Sequence, residues 1–181
     1  MLRKGMLFVQ GADKPGIIKT ITGVLYQCGA NLEDISMTLL EDQFAMMVSF
    51  NGSDKSWAAI AAKILILHKK PWNMHTDLIT LRPQKNIISR SSKSVLISVI
   101  GKDRTGIVYR LSSDLAKLRA NITNLDCRLL GKSKSNHFYS MVLEVALPNV
   151  GADKKIKKLT RVWQKALKVE VKTYPSESAI F

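Results

Sequence analysis

The sequence predicts an α+β chain of two tandem β-α-β-β-α-β modules, each with an antiparallel sheet. Three observations carry this expectation. The 181-residue chain repeats itself at a fixed offset of 90. Its apolar residues alternate between strand and helix spacing in the same order in both halves. A polar, basic, serine-rich stretch separates the halves.

The repeat begins where Gly11-Ala12-Asp13-Lys14-Pro15-Gly16-Ile17-Ile18 aligns with Gly101-Lys102-Asp103-Arg104-Thr105-Gly106-Ile107-Val108. At the same offset Leu25 meets Leu115, Ala30-Asn31-Leu32 meets Ala120-Asn121-Ile122, and Leu40 meets Leu130. Farther on, Phe44 meets Phe138 and Met47-Val48 meets Met141-Val142, so the second copy carries about four extra residues within the loop 131–136.

In the first copy a strand is expected at Gly5–Gln10, around the apolar run Met6-Leu7-Phe8-Val9. Asp13 reads as a helix N-cap and Pro15 as a first-turn residue, where a missing N–H costs nothing. Ile17, Ile18, Ile21, Val24 and Leu25 then follow at helical spacing, up to Gly29 as a left-handed C-cap. A second strand alternates Ile35, Met37 and Leu39 with polar residues, and Glu41-Asp42 makes a turn. A third alternates Phe44, Met46, Val48 and Phe50 with Ala45, Met47 and Ser49. Asn51-Gly52-Ser53-Asp54 caps a second helix expected to bury Trp57, Ile60, Ala61, Ile64 and Leu67 and to end at Lys69-Lys70 before Pro71. A fourth strand follows at about Asn73–Leu81.

The second copy repeats the order: strand Ser94–Ile100, helix Arg104–Arg119, strands near Ile122–Leu130 and Phe138–Leu147, helix Asp153–Lys168 and strand Val169–Tyr174. The expected division is module 1 at 1–82, a linker at 83–93, module 2 at 94–175 and a tail at 176–181. Modules this small are marginal alone, and packing them together would stabilise both.

Composition narrows the function. The chain is 46% hydrophobic and 23% charged, which fits a globular protein. No apolar run reaches the roughly 18 residues of a membrane helix. The first residues lack the pattern of a signal peptide, so a cytoplasmic location is expected and no membrane association. Cys28 and Cys127 have no metal-binding spacing and read as buried free thiols. The net charge is +14 and uneven: 11 Lys and Arg against 7 Asp and Glu in residues 1–90, and 17 against 7 in residues 91–181. Such a surplus serves solubility or an acidic partner. His68, His75 and His137 are scattered, and no nucleophile–base pair, nucleotide loop or paired catalytic acids appear. An enzyme, a metal site and a cofactor are therefore not expected. Met37, Met46, Met47 and Met141, with Trp57 and Trp163, read as core.

The β-α-β-β-α-β order is the ferredoxin-like arrangement shared by RNA-binding RRM domains, acylphosphatases, metal chaperones and ACT domains. The strands lack the RRM stacking aromatics. Arg104 stands where an acylphosphatase has its phosphate-binding Arg, but Lys14 replaces it in the first copy, and there are no paired cysteines for a metal chaperone. The two matched segments, Asp13-Lys14-Pro15-Gly16-Ile17-Ile18 with Gly29-Ala30-Asn31-Leu32 and Asp103-Arg104-Thr105-Gly106-Ile107-Val108 with Ala120-Asn121-Ile122, resemble the ACT-domain signature. Asn31-Leu32-Glu33-Asp34-Ile35-Ser36-Met37-Thr38 with Gln43-Phe44-Ala45-Met46 resembles the tandem ACT proteins of the glycine cleavage system transcriptional repressor family.

The residues suggest how such a site would work. Asp13 and Asp103 would cap the helices, and Gly16 and Gly106 would leave the N-terminal N–H groups open to a ligand carboxylate. The resemblance implies that ACT modules pair and bind an amino acid, glycine being one candidate, where this loop meets a partner's second strand. The expected ligand residues are Asp13, Pro15, Gly16, Ile17 and Asn31, with Asp103, Thr105, Gly106, Ile107 and Asn121. The asparagines could serve the ligand's α-carboxyl and α-amino groups. The same residues also serve a purely structural loop, with Asp-x-x-Gly as a cap and Asn as a turn residue.

In the last helix Lys154, Lys158, Arg161, Lys165 and Lys168 oppose Ile156, Leu159, Trp163 and Leu167. That is a solvated face or a docking face for an acidic protein or nucleic acid. No DNA-reading module is apparent, so sequence-specific DNA binding is not expected. Three readings remain at this level: a non-enzymatic amino-acid sensor acting through a transcription factor or enzyme partner, with a homodimer as one assembly; a basic interaction module without a small ligand; and a regulatory subunit of a metabolic enzyme.

Overall fold

The structure is a computed structural model that describes residues 2–82, 94–130, 138–148 and 151–176. The chain divides into two compact units, residues 1–85 and 86–181. The expected linker 83–93, the insertion 131–136 and residues 177–181 of the tail lie outside the described residues.

Unit 1 runs β1 (Leu2–Ala12), α1 (Ile17–Gln27), β2 (Asn31–Leu40), β3 (Gln43–Ser53), α2 (Asp54–Lys63), a 3-10 turn (Ile64–His68) and β4 (His75–Thr80). Unit 2 runs β5 (Ser94–Lys102), α3 (Ile107–Lys117), β6 (Asn121–Leu130), β7 (Phe138–Ala146), α4 (Ala152–Leu167) and β8 (Val169–Ser176). The sheet orders are β2-β3-β1-β4 and β6-β7-β5-β8, with every pair antiparallel. This is the expected α+β, ferredoxin-like arrangement, twice.

Period-two patterning sets the core. Leu7 and Val9 of β1 and Phe44, Met46, Val48 and Phe50 of β3 are buried, together with Ile17, Ile21, Val24 and Leu25 of α1. In unit 2 the equivalent positions are Ile97, Val99, Met141, Leu143 and Val145, with Ile107, Leu111 and Leu115 of α3. The register corrects the alignment of the third strands: Gly11 pairs with Phe44 and Gly101 with Tyr139, so Phe44 corresponds to Tyr139 rather than Phe138 and the offset there is 95, one residue more than expected, which reverses the face each residue takes. Both first helices close alike. Gly29 (φ 68°) and Arg119 (φ 55°) are left-handed, and the N–H groups of Ala30 and Ala120 donate to the carbonyls of Leu25 and Leu115. This is a Schellman closure. The second copy makes it with an arginine where the first has glycine.

Several expectations are corrected. Asp13 and Asp103 do not cap α1 and α3: both helices start three residues later, with Gly16 and Gly106 at the N-cap and no side-chain cap. Ile18 turns outward from the core. The second helix of unit 1 is not continuous to Lys70. It ends at Lys63, and a 3-10 turn carries the buried Ile64 and Leu67. Its cap is Ser53, whose hydroxyl accepts the Ser56 N–H at 3.1 Å. Ala61 is exposed, and Trp57 is only half-buried, tilted against Phe50 and under the Arg3 guanidinium. Met37 and Met47 are also exposed, because β2 is an edge strand and Met47 points from the uncovered sheet face. Cys28 is buried, but Cys127 is half-buried and accepts a hydrogen bond from the Tyr139 hydroxyl at 2.8 Å.

Candidate functional site

The two helix starts share a left-handed glycine N-cap and no side-chain cap. In unit 1 the chain leaves β1 at Ala12, and the Asp13 N–H donates to the Asp42 carbonyl at 2.9 Å, tying the loop to the β2–β3 turn. Lys14, Pro15, Gly16 and Ile17 then form a tight turn closed by the Ile17 N–H and the Lys14 carbonyl at 3.3 Å. Gly16 has φ 88° and ψ 1°, the third position of a type II turn, with Pro15 in the second. Gly106 has φ 91° and ψ 5°.

The glycines are therefore required by a left-handed backbone. An added Cβ at Gly16 would meet only Trp72, at 3.7 Å, and at Gly106 it would meet nothing within 4 Å. Keeping the helix end clear of side chain is not the reason for them.

With no side-chain cap, the second and third helical N–H groups have no intrahelical acceptor: Ile18 and Lys19 in α1, Val108 and Tyr109 in α3. They lie at the positive end of the helix dipole, where an anion is favoured. Asp13, Pro15 and Gly16 are exposed, as are Asp103, Thr105 and Gly106. Ile17 and Ile107 are each only 2% exposed. Their side chains hold the helices to the cores and leave only backbone for a ligand.

Asn31 and Asn121 are not brought to these loops. Asn31 pairs with Asn51, which pairs with Lys4 on β1, whereas the loop follows Ala12 at the other end of that strand. Eight residues of strand separate the two ends by about 26 Å. Unit 2 is the same: Asn121 pairs with Ala146 opposite Ser94, and the loop follows Lys102. A site using both the loop and the asparagine cannot form within one unit. Beside Asn31, Glu33 is paired with Lys4 and accepts from the Asn51 amide. The Lys4 contact holds its carboxyl below the ordinary value.

Two contacts with the segment before β4 cover the first loop, one of them from Trp72, which carries no periodicity or motif signal. Trp72 stands half-buried over Gly16, and the Lys14 ammonium donates to the Pro71 carbonyl. Gly106 has no comparable cover among the described residues. The basic residues Lys154, Lys158, Arg161 and Lys165 lie on the exposed side of α4, and Lys168 is its left-handed C-cap. Among the described residues no group of three or more His, Cys, Asp or Glu is placed to hold a metal.

Residues 6–77 match a family model described as ACT domain. The chain is 33% identical over 61 residues to the UPF0237 protein YjhC of Lactococcus lactis subsp. lactis, covering 34% of this chain and 70% of that protein. The chain belongs to the ACT-domain family. It is also 42% identical over 118 residues to the glycine cleavage system transcriptional repressor of Escherichia coli (strain K12), covering 65% of this chain and 60% of the repressor. The chain spans about half to three-fifths of the length of the first curated relatives it matches. The crystal structure of an unknown protein from Galdieria sulphuraria has the same fold, with TM-score 0.78, 22% identity and coverage of 97% of this chain and 99% of that one. Unit 1 carries the family match, and unit 2 repeats its ACT topology strand for strand.

Proposed function

We propose that this ACT protein is a non-enzymatic regulator that senses an amino acid at its β1–α1 and β5–α3 loops. The observation that carries this reading is the pair of helix starts without a side-chain cap, each preceded by the same left-handed glycine turn in both modules. A ligand α-carboxylate accepts from the free N–H groups at each helix start. Trp72 forms an apolar wall over the first loop, which favours a small side chain, glycine among them. Asn31 or Asn121 of a second copy of the chain meets the ligand's amino group.

Similarity to the glycine cleavage system transcriptional repressor supports a role in transcription or metabolism through a partner protein, a transcription factor or an enzyme, in the cytoplasm. Regulation then requires that the ligand bind two states of the protein with different affinity.

Isothermal calorimetry of the full chain against glycine and the other standard amino acids tests the reading. Saturable binding of a small amino acid, weakened by substitution in the loops, is expected. No heat from any of them at millimolar concentration overturns the sensing reading.

A further inference from the structure

Helix α4 carries charges that its own stability does not favour. Between positions 154 and 165 it has six Lys and Arg, all exposed, and its one acid is Asp153. Four of the six fall within 154–158, and two of these, Lys154 and Lys155, lie in the first turn, where the helix dipole disfavours cations. Lys154 with Lys158 and Arg161 with Lys165 are like-charge pairs at i,i+4, which repel. Among the described residues none of the six is in an ion pair.

The equivalent helix of the first module is an internal control. Helix α2 occupies the same place in the same fold with two lysines, Lys55 and Lys63, against Asp54. The fold therefore does not require a basic helix here. The opposite side of α4 is firmly seated, through buried Ile156 and Trp163.

The composition of the face distinguishes partners. Protein interfaces are depleted in lysine and rely on aromatic or apolar anchors. This face has five lysines to one arginine, and its exposed large apolar residue is Val162. A phosphate backbone needs only point charges. Lys154, Lys158, Arg161 and Lys165 form a row about 16 Å long at 1.5 Å per residue. A nucleic-acid strand presents a phosphate about every 3.4 Å of duplex axis.

We propose that the outer face of α4 docks on the phosphate backbone of nucleic acid, without reading bases. This stands independently of amino-acid sensing.

The test is fluorescence anisotropy of a labelled 20-base-pair duplex with the full chain at 50 and 200 mM NaCl. With about four phosphate contacts, affinity falls roughly a hundredfold across that range. The variant K154Q/K158Q/R161Q/K165Q lowers the salt slope by about four and weakens binding at 50 mM. The charge-reversed variant K154E/K158E/R161E/K165E abolishes it. Scrambling the duplex sequence changes little. Both variants retain the wild-type circular dichroism, and the glutamine variant has an equal or higher melting temperature, because it removes the like-charge pairs. No binding at 50 mM NaCl, or binding that survives folded variants of both kinds, overturns the proposal. Equal competition by a polyglutamate peptide of matched charge also overturns it, assigning the face to acidic protein.

Discussion

The indole N–H of Trp163 donates a 3.0 Å hydrogen bond to the Asp114 carboxylate inside the second module. Trp163 is fully buried on α4 and Asp114 is 8% exposed on α3, so the bond joins the two helices that cover one sheet. Arg110 and Lys117 approach the same carboxylate from the surface, at 3.3 and 3.2 Å.

Trp163→Phe keeps an aromatic ring but removes the donor. It should destabilise the second module by about 2–3 kcal/mol, the worth of a buried hydrogen bond to a charged group plus some lost packing. Urea unfolding followed by circular dichroism measures the loss, and amide exchange should locate it in α3 and α4 with the first module unchanged.

Acid should weaken the same contact. The Trp163 hydrogen bond, followed by Lys117 and Arg110, holds the Asp114 carboxyl below its ordinary value, against burial, which raises it. The folded protein therefore takes up this proton at lower pH than the unfolded chain. The resulting stabilisation is fully present above the unfolded value of about 4 and is lost as pH falls below it through the folded value. Urea midpoints between pH 3 and 6 should decline on the acid side, less steeply for Trp163→Phe. Parallel curves would show that the indole does not set the titration.

Gly106→Ala separates conformational strain from crowding, because its Cβ meets nothing within 4 Å. At φ 91° it should still cost about 1–2 kcal/mol. Thermal melting reads this, and an unchanged midpoint would mean the turn relaxes freely.

Arg119→Gly is the opposite change. A left-handed arginine closes α3 where glycine closes α1. Glycine there should stabilise the second module by about 0.5–1 kcal/mol, visible as a higher melting temperature.

Trp72→Ala tests the proposed ligand wall. Calorimetry should show affinity at the first loop reduced roughly tenfold, about 1.4 kcal/mol, with the second loop unaffected. Equal loss at both loops would place Trp72 outside the site.

The fold was legible because the residues that build it follow simple periods. Alternation at Phe44, Met46, Val48 and Phe50 and helical spacing at Ile17, Ile21, Val24 and Leu25 each mark one buried face. The candidate site was legible only in part. The Asp-x-x-Gly loops are marked by residue type, but their helix start was misplaced, because Pro and Gly suit a type II turn as well as a first helical turn. Trp72 carries no signal, and Lys14 is marked only as a member of the repeated segment, since the contacts of both depend on how the segment before β4 returns over the first loop.

By itself, then, the sequence determined the duplication, the order of elements and the basic character of α4, because these depend on residue type and local spacing. Only the tertiary structure decided that Gly16 and Gly106 serve a left-handed turn. It also placed Asn31 and Asn121 at the far end of the sheet from the loops, and left both faces of β2 exposed at the edge. Those outcomes follow from antiparallel register and strand order, which join residues far apart in the chain and leave no local trace.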